Sequence, residues 1–307
     1  MPIMKRSIVF SFFIICLFWT GLMATDSTTA KLSITCYGQL QFISKDPVFQ
    51  YQGFNMRRLR PSVIYTQNDK LSFTGEVQIG SGLKLLRAHF DYQAIPGYLY
   101  LKGGQFPNRL MFFESSPTRK YFVLVSHLDY YIEDQNPTGI AAYGHYKFFA
   151  WELQVTNGTV TGAPDNNEQK EVNFWTEWKI SHAILLSTCL QRGRQLIDER
   201  TTAWIQLKTE YLGLNSEIGA INQSYSTSTC GFYLNNKFQI SQFVAIAGRV
   251  ALPVDHSEVV MANGYIARND LEFTPGVIVS KDNFTAKLNT IISRNEPRYA
   301  AEIQFIF

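Results

Sequence analysis

With 307 residues, 46% of them hydrophobic and 17% charged, and a formal net charge of +3, the chain is close to neutral for its size. That balance argues against a nucleic-acid binder, which needs a concentrated basic surface. The four cysteines, at positions 16, 36, 189 and 230, match no zinc or redox spacing and read as small apolar residues.

Residues 1–6 are short and basic, with Lys5 and Arg6, and residues 7–23 are almost continuously apolar. The chain then turns small and polar at Ala24-Thr25-Asp26-Ser27-Thr28-Thr29-Ala30. This is the three-part layout of a secretory signal peptide, and it divides the chain into a leader, 1–24, and one mature domain, 25–307. Cleavage after Ala24 puts Leu22 and Ala24 at the two positions the peptidase reads. Cleavage after Ala30 is the alternative, and a retained N-terminal anchor is the other reading of the segment. After the leader no run of about 18 apolar residues occurs, so an exported chain, either soluble or a barrel, is expected.

In the mature chain apolar and polar residues alternate with a period of two. Phe54-Asn55-Met56-Arg57-Arg58-Leu59-Arg60-Pro61 opens one such run, in which Leu59, Pro61, Val63 and Tyr65 share a face. That phase sends Arg58 and Arg60 to the other face and leaves Arg57 to the rim or to lipid head groups. In residues 71–80, Phe73, Val77 and Ile79 oppose Thr74, Glu76 and Gln78. The pattern continues at 98–102, 151–156, 203–211, 244–252, 284–292 and 298–307, and helical periodicity is nowhere sustained. Short turns at 67–70, 94–97, 213–215 and 281–283 alternate with longer connectors at 106–137, 161–171 and 256–270. Short turns on one rim and long loops on the other predict a transmembrane antiparallel β-barrel in a bacterial outer membrane. The strand count is about sixteen; fourteen is the alternative, because 216–241 alternates weakly.

At the carboxy terminus Tyr299, Ala301, Ile303, Phe305 and Phe307 face one way and Arg298, Ala300, Glu302 and Gln304 the other. A terminal aromatic preceded by apolar residues at every second position resembles the signal read by the barrel-assembly machinery, which makes Phe307 the expected contact.

In lipid every backbone polar group must pair internally, so a spanning sheet has to close. At about sixteen strands the interior is too wide for side chains to fill and holds water. The alternation sends Arg58, Arg60, Arg87, Lys102, Lys147, Lys179, Lys208, Lys237, Arg249, Lys287 and Arg298 inward. The inward acids are Glu76, Asp91, Glu152, Glu177, Glu210, Glu272 and Glu302. A wall led by Arg and Lys favours anions; pairing of acid with base across strands is the competing reading. Arg58 and Arg60, about 7 Å apart along one face, begin a ladder whose forks suit phosphate or carboxylate, unless Glu76 ties them down.

The Arg57-Arg58-Leu59-Arg60 strand, the hairpin into 71–80, and Leu99-Tyr100-Leu101-Lys102-Gly103-Gly104-Gln105-Phe106 with the long segment after it resemble the phosphate-selective porin O/P family. The match covers roughly the first half of the mature chain. It implies passive diffusion of small anionic solutes such as phosphate, a homotrimer in outer-membrane lipid, and a loop at 106–137 that folds into the barrel. By the same resemblance Arg109, Arg119 and Lys120 join the anion-binding residues.

The other readings are a structural or adhesive surface barrel and a barrel enzyme. There is no Gly-x-Ser-x-Gly elbow, and the five histidines show no metal-ligand spacing, so no enzyme and no cofactor is expected. His89 and Asp91 share an inward face, where a wall hydrogen bond is the first expectation and an oriented base the second.

Overall fold

The computed structural model describes residues 30–44, 54–79, 83–108, 136–158, 170–195, 198–224, 228–255, 271–292 and 298–306. The proposed leader, the basic residues Arg109, Arg119 and Lys120, and Phe307 lie outside the described residues.

Sixteen strands follow one another along the chain. They are β1 (Lys31–Ser44), β2 (Phe54–Gln67), β3 (Leu71–Gln78), β4 (Lys84–Ile95), β5 (Leu99–Gln105), β6 (Thr138–Tyr146), β7 (Phe149–Thr156) and β8 (Glu171–Lys179). Then come β9 (Ile184–Gln195), β10 (Asp198–Tyr211), β11 (Leu214–Ser224), β12 (Ser228–Gln239), β13 (Val244–Asp255), β14 (Glu272–Lys281), β15 (Phe284–Ile291) and β16 (Arg298–Ile306). Each pairs antiparallel with its neighbour, and β1 pairs with β16, so the sheet is a closed barrel without edges. The count is the sixteen that alternation suggested. The weakly alternating stretch proves to be the full hairpin β11–β12.

Turn chemistry sets the short rim. Asn68 and Asp69 both have positive φ, 53° and 52°, the backbone of a tight hairpin that matches strand twist. Leu212 and Gly213 repeat this with φ of 48° and 80°. Lys147 does so at 52°, in the turn between β6 and β7, where it is exposed. Lys147 is therefore a rim residue and not a wall residue: the strand ends at Tyr146, before the alternation can carry Lys147 inward.

Leu32, Ile34, Phe73, Ile140, Leu190 and Leu288 stand exposed on the outer face. The inner face is polar, with Gln39, Gln154, Asn173, Gln191, Gln206 and Gln304 buried and hydrogen-bonded. Apolar-out, polar-in is the reverse of a water-soluble sandwich and suits a barrel in lipid. Among the described residues no helix is long and apolar enough to cross a membrane. At the seam the Phe305 ring lies over Gly38, its register partner, where any side chain on 38 would collide. The inner wall also holds an apolar patch of Cys189, Trp204, Ile221, Tyr233 and Ala251, packed against Trp175.

Candidate functional site: the inner wall

Between β1 and β2 the register slips: Gln39 pairs with Arg58 but Leu40 pairs with Met56. Arg57 is thus the extra residue of a β-bulge, which re-aims a side chain. Its guanidinium points inward, with Nη1 3.7 Å from Glu302 Oε2. The expected placement of Arg57 at the rim or in head groups is corrected, because simple alternation does not survive a bulge. Arg57, Arg58 and Arg60 all belong to the inner wall.

Their partners differ. Arg60 is buried and donates from Nε to Gln78 Oε1 at 2.9 Å. Glu76 pairs with Arg87 on β4, Nε to Oε1 3.8 Å. Arg58 is half-buried, sits beside Gln39, and makes no hydrogen bond or ion pair with another described side chain.

Lys102 lies between two carboxylates, 3.8 Å from Asp91 Oδ1 and 3.5 Å from Glu152 Oε1. The same ammonium sits 4.6 Å from the centre of the Tyr143 ring, a cation–π contact. Tyr143 in turn donates its hydroxyl to Asp91 at 2.8 Å and stacks on Tyr100 at 5.0 Å. His89 lies between Asp91 Oδ2 at 3.3 Å and the Gln105 carbonyl at 3.2 Å. Both ring nitrogens are thus turned to the wall, as the hydrogen-bond reading expects.

At the end of β5 the chain leaves the wall. Gly104 has φ +120°, and a Cβ there would stand 2.3 Å from the Ala88 carbonyl oxygen. Only glycine allows strands this close with that backbone. Gln105 then reaches back to the carbonyls of Leu85 and Leu86 at 2.7 and 3.1 Å. Phe106, fully buried, is held by its backbone N–H to Pro137 O at 3.2 Å. Residues 106–108 lie against the inner faces of β7 and β8. They are met by Gln154 on Pro107 O at 3.2 Å, by Glu171 accepting from Asn108 Nδ2 at 3.1 Å, and by Asn173 donating to Asn108 Oδ1. The chain therefore enters the lumen at 106–108. Asn108 is a residue that sequence reasoning missed, since its partners lie 63 and 65 positions downstream.

At the seam Glu302 gathers Arg57 from β2, Lys287 at 3.8 Å from β15, and the carboxamides of Gln39 and Gln304. Around the ring, Arg57, Arg58, Arg60, Arg87 and Lys102 stand against Glu76 and Asp91 on β2–β5. On β7–β11 Glu152, Glu171, Glu177, Glu210 and Glu217 stand against Lys179 and Lys208. In a ring of sixteen, β2 and β10 are eight strands apart in both directions, so the arginine strand faces the opposite wall. Among the described residues of these two sectors, bases lead on β2–β5 and acids on β7–β11.

No family model matches the chain, and no curated protein matches it in sequence. Solved structures do. The outer-membrane protein OmpT of Vibrio cholerae, in its trimer form, superposes with a TM-score of 0.67 at 7% identity, covering 91% of this chain and 100% of that one. An anion-selective porin from Comamonas acidovorans gives 0.65 at 10% identity, with the same coverages of 91% and 100%. A porin of Rhodopseudomonas blastica gives 0.62 at 13%, again over 91% and 100%. The fold is a porin fold. At such identities the likeness reaches the backbone and stops there.

Proposed function

We propose that this chain is an outer-membrane porin, a passive channel for small hydrophilic solutes that prefers anions. The observation that carries the reading is Arg58. Arg60, Arg87 and Lys102 are each held by a neighbouring side chain, whereas Arg58 presents a guanidinium to the lumen with its donors unspent on described residues. A fixed cation in a narrow aqueous passage offsets part of an anion's dehydration cost, and its planar fork matches phosphate or carboxylate oxygens. Arg60 and Arg87 add to the local potential without being the first contact. By the phosphate-selective porin O/P resemblance, Arg109, Arg119 and Lys120 are further candidates for the anion path, and phosphate is the solute to try first.

The apolar outer face supports residence in outer-membrane lipid, reached after removal of the 1–24 leader and assembly through the aromatic carboxy terminus. A homotrimer is proposed, in keeping with the trimer form named for the Vibrio cholerae protein. The test is reconstitution of the mature chain in a planar bilayer with a salt gradient. Stepwise conductance with a reversal potential of anion-selective sign is expected; a folded protein that stays electrically silent ends the porin reading in favour of a surface barrel or a barrel enzyme.

A further inference from the structure

We propose that the short-turn mouth of the barrel carries a second binding site, distinct from the arginine strand, for a zwitterionic amino acid with a small apolar side chain. A cavity of about 320 Å³ opens there, lined by Lys179 of β8, Leu185 of β9, Lys208 and Glu210 of β10, Asn215 and Glu217 of β11, and the turn at 181–184. That is the lower end of the volumes small-molecule sites occupy.

The charges decide the ligand class. Lys208 Nζ is 3.3 Å from Glu217 Oε1, and Glu217 also accepts from Asn235 at 3.0 Å and from Gln206. That pair is neutralised within the wall. Lys179 and Glu210 make no ion pair with a described residue, and both are exposed to the mouth. Lys179, Leu185 and Lys208 form one cross-strand row, with Glu210 one inward position closer to the rim. Lys179 and Lys208 are two strand spacings apart, about 10 Å between Cα atoms. A simple anion here meets Lys179 but also the Glu210 carboxylate, and a simple cation meets the reverse. A molecule carrying both charges satisfies both, carboxylate to Lys179 and ammonium to Glu210. Between them Ala183 and Leu185 offer an apolar floor for a short aliphatic side chain.

The frame is preorganised, which lowers the ordering cost of binding. Ile180 N–H donates to Ile184 O at 3.0 Å, Ala183 N–H to Ser181 Oγ at 3.2 Å, and Glu210 N–H to Ala183 O at 2.9 Å. The turn is thereby tied both to itself and to β10.

The inference rests on the porin reading for the arrival of solute, and on the cavity alone for binding. The experiment is titration calorimetry of the folded barrel in detergent with L-leucine, beside 4-methylpentanoate and isopentylamine, which each lack one of the two charges. Saturable leucine binding is expected, at least tenfold weaker for either analogue and for Lys179→Gln or Glu210→Gln. Circular dichroism confirms that the variants keep their strands, and the two analogues test the idea on the unaltered protein. Absence of saturable binding overturns the proposal, and so does an analogue that binds as well as leucine. Conductance of the same preparation is read separately, so a silent barrel that binds leucine refutes the channel and a conducting barrel that does not refutes the site.

Discussion

Arg57 Nη1 lies 3.7 Å from Glu302 Oε2, joining the second strand to the last across the first. The contact exists because a bulge gives β2 one residue more than β1 needs, turning Arg57 inward beside Arg58. With Lys287 arriving from the other side at 3.8 Å, one buried carboxylate binds three strands around the closure seam. A barrel has to close to satisfy its backbone in lipid, and here the ion cluster sits beside the β1–β16 ladder that closes it.

Glu302→Gln leaves two cations beside a neutral amide in a buried setting. Removing one member of such a cluster costs roughly 3 kcal/mol. Denaturant unfolding of the detergent-folded barrel should show that loss, and an unaltered midpoint would mean that the cluster adds nothing to closure.

Arg58→Glu should turn the field at the arginine strand against anions. The anion-to-cation permeability ratio is expected to fall by about twofold or more, with the effect shrinking as salt screens the wall. Arg60→Gln, which keeps a donor for Gln78, should change it less. Equal effects from the two substitutions would remove the special standing of Arg58.

Asn108→Leu deletes the bonds that hold 106–108 to Glu171 and Asn173. Single-channel conductance should rise and its open level become noisier, since the crossing chain then loses two of its wall anchors. A conductance identical to that of the parent would show that these hydrogen bonds do not set the width of the lumen.

Gly104→Ala forces a side chain into a backbone at φ +120° and against the Ala88 carbonyl. A strained residue of this kind costs on the order of 1–3 kcal/mol before any shift of β5 is counted. Chemical denaturation measures it; a neutral substitution would mean that β5 relaxes freely at this point.

The barrel was legible in the chain because a strand shows its neighbours on alternate faces, so one hydrophobic phase names both walls at once. That is how Arg58, Arg60, Arg87 and Lys102 could be assigned inward from the order of residues. The same rule failed at Arg57 and Lys147. A bulge and a turn each reset the phase, and neither leaves a mark in composition. Over residues 299–306 the terminal strand was read correctly on both faces, yet nothing in Arg298-Tyr299-Ala300-Ala301-Glu302 says that residue 302 will meet residues 57 and 287.

What the sequence determined by itself is everything that depends on short-range periodicity: strands, turns such as Asn68-Asp69, the polar inner face, and closure into about sixteen staves. What only the tertiary structure decided is which charge is spent on which. Arg60 on Gln78, Arg87 on Glu76, Lys102 between Asp91 and Glu152, and Asn108 on Glu171 and Asn173 of β8 all follow from register and from where the chain leaves the wall. Register is a property of pairs of strands far apart in the chain, fixed by bulges and by the sum of many cross-strand contacts. No single segment contains it, and so Arg58 could be seen as one of several inward cations but not as one whose donors stay unspent on described residues.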